Sequence, residues 1–190
     1  MGTRSKTKVY LDDELRVNQY GQWDGYPTGK GEVVMQFCRS VWNMTNLVGK
    51  LSHERGCEFI DSETAESIDN VLDHAGAANI KAMSVLMDTT PFNRDWGSQI
   101  LYYIAFGPYG MIIPNNSPEA DDDEDRLFIE GIYTLRIRTG DEYPRGFRFE
   151  LDMDYHGYKR HYLMDELFAM SETQVTKEME AWEDEINKEE

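Results

Sequence analysis

The sequence has little cysteine and no long apolar run. Its two cysteines are too few for a disulfide framework, and Cys38 falls within an apolar helical pattern, which predicts a buried free thiol. No apolar run approaches the length that spans a bilayer, and the first residues lead into a strand pattern without the features of a signal peptide. We therefore expect a soluble, cytoplasmic protein that does not associate with membranes.

The common signatures of catalytic and metal sites are also missing. There is no Gly-x-Ser-x-Gly elbow and no Cys/His arrangement for nucleophilic catalysis. The four histidines are scattered, and His156 and His161 match no standard zinc spacing. Acid pairs of the glycosidase type stay open in so acidic a chain, although no pair stands out. We expect no catalytic residue, no metal site and no cofactor.

Positive charge is scarce. The chain has 36 acidic and 19 basic side chains, and its net charge is −17. Such a charge repels nucleic acids and anionic membranes, so we expect no direct nucleic-acid binding. It suits a protein that binds basic surfaces of other proteins, although solubility alone also explains an acidic composition.

The length and the apolar pattern predict one α+β domain. A chain of 190 residues with 40% hydrophobic side chains can build one sizeable core. Strict alternation over Phe147–Tyr155 predicts a half-buried antiparallel strand, paired through a hairpin with a strand over 127–139. Its outward acids, Glu150, Asp152 and Asp154, are better explained as a solvated face than as a cation site. We predict further strands over 6–11, 14–20 and 158–163, and helices over 28–51, 62–76 and 93–107.

We expect a mainly antiparallel sheet packed with three to four helices, in a domain over residues 1–170. In the second strand, Leu15, Val17 and Gln19 alternate with polar residues, which predicts a core-facing side. Residues 111–125 carry turn residues and acids and predict an exposed loop, with an acidic loop over 114–126. An acidic C-terminal helix is expected over 171–190, with Val175, Met179, Trp182 and Ile186 at helical spacing as its narrow apolar stripe.

The most distinctive stretch runs from Val17 to Gly31 and holds four of the 15 glycines. It fails as a Walker A loop because only three residues separate Gly25 from Gly29 and because Gly31 replaces the Mg²⁺-binding hydroxyl residue. It also lacks the third glycine of a dinucleotide fingerprint. Two hypotheses stay open: buried aromatic residues that anchor the loop to the sheet, and an exposed aromatic ligand site. The candidate ligand-binding residues are Trp23, Asp24, Tyr26 and Lys30.

The acid run at 119–125 and the acidic C-terminal helix are candidates for partner binding. Two solvated surfaces would explain them, but two negative elements on one domain could also imitate the phosphate spacing of a nucleic acid. The candidate partner-binding residues are Asp121, Asp122, Asp123, Glu124, Asp125, Glu180, Glu183 and Asp184.

The segment from Gln19 to Gly31 resembles the signature of an uncharacterised bacteriophage and prophage family with more distant fungal relatives. The family pattern is Tyr-x-Gln-Trp-Asp-Gly-Tyr-Pro-x-Gly-x-Gly. Two weaker similarities follow: Arg94 to Gly97 resembles a family Arg-Asp-Leu-Gly, and Phe128 to Leu135 resembles its late hairpin. The resemblance implies a phage origin and carries no catalytic residue with it.

These observations lead to competing functional hypotheses. The first is an acidic, phage-encoded inhibitor that binds a basic surface of a host defence protein, of CRISPR or restriction nuclease type, as a nucleic-acid mimic in the host cytoplasm. The alternative is a protein that binds, or an enzyme that acts on, a small ligand or nucleotide signal through the aromatic loop. A structural or regulatory phage protein would carry no distinguishing feature.

Overall fold

The predicted α+β architecture is confirmed by a computed structural model, which describes residues 2–53, 56–60, 97–107, 111–114 and 129–189. The described strands are β1 (Ser5–Leu11), β2 (Glu14–Gly21), β3 (Cys57–Ile60), β4 (Met111–Pro114), β5 (Gly131–Thr139), β6 (Phe147–Tyr155) and β7 (Tyr158–Leu163). The α-helices are α1 (Glu32–Cys38), α2 (Val41–Ser52), α3 (Ile100–Phe106), α4 (Met164–Ala169) and α5 (Glu172–Glu189). The predicted helix over 62–76 lies outside the described residues.

Five strands form the main sheet in the order β2-β1-β5-β6-β7. Only the central β1–β5 pair is parallel, whereas the other three pairs are antiparallel. The exposed-loop prediction is wrong for residues 111–114, because they form β4 and pair in parallel with β3. Backbone pairing with a distant strand decided this structure, and a local turn pattern does not contain that information.

The inner face of the main sheet packs against the helices. Its alternating residues Tyr133, Leu135 and Leu151 are at most 1% exposed and belong to the same apolar core as the helices. The predicted stripe of α5 is confirmed, since four residues spaced at helical intervals are at most 1% exposed. They are Val175, Met179, Trp182 and Ile186. Cys38 is also buried as a free thiol, as predicted, and burial raises its pKa well above the ordinary value.

The prediction of one continuous helix over 28–51 is wrong. A π-helical turn, Pro27–Gly31, comes first, and Ser40 divides the remainder into α1 and α2 with extended φ and ψ of −93° and 113°. The backbone N–H of Asn43 donates to Ser40 Oγ at 3.3 Å. Serine favours such an N-cap over a helix interior because its hydroxyl satisfies a terminal N–H. Gly49 lies within α2 and does not end it.

Leu15 does not face the core as the alternation in β2 predicted. The register between β1 and β2 shifts at this point, so that Val9 pairs with Val17 and Tyr10 pairs with Leu15. The extra residue, Arg16, reverses the faces of the residues that precede it, as expected of a β-bulge. Leu15 is therefore 39% exposed, while Val17 is fully buried.

Candidate functional site

The glycine-rich loop leaves β2 at Gly21 and enters the π-helical turn before α1. Trp23 is 52% exposed, so the hypothesis of a buried aromatic anchor is wrong for this residue. Asp24 is exposed and has a positive φ of 58°. Tyr26 is half-buried and donates its hydroxyl hydrogen to Asp24 Oδ1 at 3.2 Å. The exposed part of the loop is thus limited to a short turn.

Close backbone approaches account for the glycines of this loop. A Cβ atom on Gly25 would lie 2.6 Å from the Arg4 carbonyl oxygen, and one on Gly29 would lie 2.2 Å from the Asp24 carbonyl oxygen. Gly25 also accepts a hydrogen bond of 2.7 Å from the buried Tyr133 hydroxyl. Burial raises the pKa of Tyr133 well above its ordinary value, which keeps the hydroxyl protonated as a donor. The glycine pattern is therefore explained by packing.

Lys30 lies apart from the exposed side chains of the loop. It is only 6% exposed, and its Nζ donates to Gln99 Oε1. Trp23 and Asp24 are exposed, so the four predicted ligand residues do not share one accessible surface. This geometry does not favour the hypothesis of a ligand site built from Trp23, Asp24, Tyr26 and Lys30 together.

Lys30 belongs to a group of polar residues, all buried except Gln99, that we call the polar junction. Thr7 and Ser98 share a hydrogen bond of 2.9 Å between their hydroxyl oxygens, and Thr7 pairs with Gln19 across β1 and β2. Gly21 and Gly97 pack so closely that a Cβ on Gly21 would lie 3.1 Å from the Gly97 Cα. The residues of the polar junction are Ser5, Thr7, Gln19, Lys30, Ser98 and Gln99. The junction thus brings the glycine-rich segment against the end of the Arg94–Gly97 segment at Gly97.

Two members of the polar junction carry unsatisfied polar groups. Gln19 is fully buried, and neither its side-chain oxygen nor its nitrogen has a hydrogen-bond partner. The Ser5 hydroxyl oxygen is also buried without a hydrogen-bond partner. Each unsatisfied buried group costs about 1–3 kcal/mol, so the stability of this region is open to improvement by apolar replacement.

Some acidic side chains of α5 accept hydrogen bonds from other parts of the fold. Glu183 Oε2 accepts hydrogen bonds from the Thr28 backbone N–H at 3.0 Å and from Thr28 Oγ1 at 2.6 Å. Glu178 accepts from the Tyr162 hydroxyl at 2.8 Å. Glu180 and Asp184 are exposed and one helical turn apart. Of the predicted partner-binding residues, Asp121, Asp122, Asp123, Glu124 and Asp125 lie outside the described residues.

The opposite, outer face of the sheet carries a cavity of about 390 Å³ that the sequence did not reveal. Its centre is a row of four paired residues across β1, β5, β6 and β7. They are Lys8, Thr134, Asp152 and His161. The cavity also touches Tyr10, Arg136 and Lys159. The sequence shows basic residues at alternate positions of β5 and β7, which was the available signal. It does not show the strand register that brings these residues together.

Asp152 organises one wall of this cavity. Its Oδ2 accepts from Arg136 Nε at 3.3 Å, and its Oδ1 lies 2.7 Å from His161 Nδ1. The Arg136 guanidinium carbon lies 4.8 Å from the centre of the Tyr10 ring, which is a cation–π distance. The outward acid on β6 thus holds basic neighbours in place.

Searches against protein families, curated proteins and solved structures find no match to this chain. Within the described ranges, no helix is both long and apolar enough to cross a bilayer. No three His, Cys, Asp or Glu residues in those same ranges are grouped as metal ligands would be.

Proposed function

We propose that the protein is a binding protein that inhibits a host defence nuclease, of CRISPR or restriction type, by occupying a basic surface of that enzyme. The observation that carries the proposal is the attachment of α5. Its apolar stripe is at most 1% exposed, and Glu183 fixes it to Thr28, so the remaining acids are held on a rigid support. Preorganised charges lose little entropy when a partner binds.

Glu180 and Asp184 are exposed acids of this support. The net charge of −17 adds long-range attraction toward a positively charged partner, which speeds association and makes it sensitive to salt. The phage resemblance of residues 19–31 motivates the choice of a defence nuclease as the partner to test first.

The test is a competition experiment between the full chain and DNA for purified restriction and CRISPR nucleases. The double variant Glu180→Lys, Asp184→Lys should weaken inhibition by about tenfold or more, because it places like charges against the partner. The control is Asp141→Lys, Glu142→Lys, which changes two exposed acids in the β5–β6 turn by the same charge. The control should change inhibition by about twofold at most, through steering alone.

Equal losses of inhibition in the two variants would contradict a localised site on α5. They would indicate that only the net charge of the protein matters. Failure of the unmodified chain to displace DNA from any of the nucleases would contradict the proposal as a whole. A third variant with lysine at Asp121, Asp122, Asp123 and Asp125 tests whether the acidic run contributes to the same surface, and unchanged inhibition would remove it from the site.

A further inference from the structure

The cations that line the outer-face cavity already have partners. Arg136 Nε donates to Asp152 Oδ2 at 3.3 Å, and Lys159 Nζ lies 3.8 Å from Asp154 Oδ2. The other two cations of the cavity also interact with other residues. They are Lys8 and Arg160. A charged ligand would have to compete with these pairs, whereas a neutral ligand would leave them intact.

Three side chains of the cavity keep hydrogen-bonding capacity after this pairing. Arg136 uses only Nε for Asp152, so its two terminal nitrogens remain as donors. Asp152 Oδ1 lies 2.7 Å from His161 Nδ1. Because a carboxylate only accepts, Nδ1 carries the hydrogen, and Nε2 of the neutral ring is left as an acceptor.

These three side chains are accessible from solvent. The side chains of Arg136, Asp152 and His161 are between 44% and 52% exposed. His161 Nε2 lies 4.0 Å from Glu150 Oε2, which is too far for a direct hydrogen bond. The cavity thus presents donors and acceptors side by side.

Apolar surface lies beside the polar groups. Tyr10 and Ile132 line the same cavity, and the Arg136 guanidinium carbon lies 4.8 Å from the centre of the Tyr10 ring, which holds the guanidinium in place. The volume of about 390 Å³ falls within the range of about 300–1,000 Å³ that is usual for small-molecule sites.

We propose that this cavity binds a neutral ring compound that carries several hydroxyl groups, of the size and chemistry of a monosaccharide. A hydroxyl group both donates and accepts, so neighbouring hydroxyl groups accept from Arg136 and donate to Asp152 and His161 without breaking the ion pairs. The C–H groups of the ring pack against Tyr10 and Ile132.

The inference is independent of the proposed action of α5, because none of the residues Glu180, Glu183 or Asp184 lines the cavity. A loss of nuclease inhibition would therefore leave it untouched.

The test is nuclear magnetic resonance of the ¹⁵N-labelled full chain titrated with D-glucose, D-galactose and D-mannose. At least one of these sugars should shift the amide signals of Thr134, Arg136, Asp152 and His161 in a saturable manner, with a Kd on the order of millimolar. Glucose 6-phosphate and glucosamine, which add one negative or one positive charge, should bind at most about threefold more tightly than glucose, since the charges of the cavity are paired.

Two pairs of variants locate the site with the sugar that binds most tightly. Arg136→Gln should weaken binding by about tenfold, because it removes charged donors. Arg138→Gln is its control, because Arg138 lies on the same strand and pairs outside the cavity. Asp152→Asn should also weaken binding by about tenfold, whereas Glu150→Gln, on the same strand but not lining the cavity, should change it by about twofold at most.

The proposal is overturned if none of the three sugars gives saturable shifts up to about 50 mM, or if the shifts fall outside the cavity. It is also overturned if either control weakens binding as much as its matched variant. Binding of glucose 6-phosphate or glucosamine about tenfold tighter than that of glucose would overturn the assignment of a neutral ligand.

Discussion

The glycine-rich loop and the outer face of the sheet differ in how well their sequences indicate their roles in the structure. The loop has an unusual sequence, yet its glycines are needed because backbone atoms of Arg4 and Asp24 lie where side chains would be. The outer face has an ordinary alternating sequence, yet its register assembles a cavity with opposed charges. An unusual motif can therefore be a packing solution, while unremarkable strand residues can assemble a charged cavity through their register.

The largest expected effect tests the packing role of the loop. Gly29→Ala should destabilise the protein by about 3 kcal/mol or more, because its Cβ would lie 2.2 Å from the Asp24 carbonyl oxygen. Gly49→Ala is the control, since it is exposed within α2 and nothing lies within 4 Å of its added Cβ. The control should stabilise by about 0.5–1 kcal/mol. Urea unfolding midpoints measure both, and equal stability of the two variants would contradict the packing explanation.

A smaller effect separates the structural acid of α5 from its exposed acids. Glu183→Ala should lower the free energy of unfolding by about 1–3 kcal/mol, because it removes the carboxylate oxygen that accepts both hydrogen bonds from Thr28. Asp184→Ala, one residue further and exposed, should stay within about 0.5 kcal/mol of the unmodified protein. Chemical denaturation followed by tryptophan fluorescence measures the difference. Similar losses for the two variants would show that Glu183 has no special structural role.

A pH-dependent contribution comes from Asp12, at the turn between β1 and β2. Its carboxylate accepts from Thr139 Oγ1 and from the Thr139 backbone N–H, and these hydrogen bonds lower its pKa. Since the folded pKa is the lower one, the stabilisation is present above the unfolded pKa and is lost as the pH falls through the folded value.

Asp12→Asn should therefore lower the melting temperature at pH 7, and the difference from the unmodified protein should shrink as the pH falls below about 4. Thermal melts between pH 7 and pH 3 measure this difference. A difference that stays constant over the whole range would exclude a contribution from the charge of Asp12.

The smallest effect is expected in the polar junction. Gln19→Leu removes two polar atoms that are buried without hydrogen-bond partners, and it should be neutral or stabilise the protein by about 1 kcal/mol. Gln22→Leu serves as the comparison, because Gln22 is half-buried and accepts a hydrogen bond of 2.7 Å from the Tyr20 hydroxyl; this variant should lower the stability by about 1 kcal/mol. A loss in Gln19→Leu as large as in Gln22→Leu would show that Gln19 is satisfied, for instance by bound water.

The elements that local patterns predict well are those whose burial repeats regularly. The alternation of Phe147, Phe149, Leu151 and Met153 predicted β6 to its observed ends, and the stripe of α5 predicted which residues are buried. Ser40 and Leu15 were missed, because one N-cap hydrogen bond and one bulge change the local structure without changing the apolar period.

The site residues depended on long-range pairing. Glu183 was predicted to face a partner, but its contact with Thr28 spans 155 residues of sequence and is not visible in a local pattern. The cavity was missed for the same reason, since Lys8, Asp152 and His161 meet only through the pairing of four strands. Asp152 was noted as an outward acid, but its basic neighbours come from other strands.

The contrast between the loop and the outer face is tested most directly by urea unfolding of Gly29→Ala beside Arg136→Gln. Gly29→Ala should lose about 3 kcal/mol or more, because its Cβ would lie 2.2 Å from the Asp24 carbonyl oxygen. Arg136→Gln removes an exposed ion pair with Asp152 and should stay within about 1 kcal/mol of the unmodified protein. A loss in Arg136→Gln as large as in Gly29→Ala would contradict the structural role assigned to the loop.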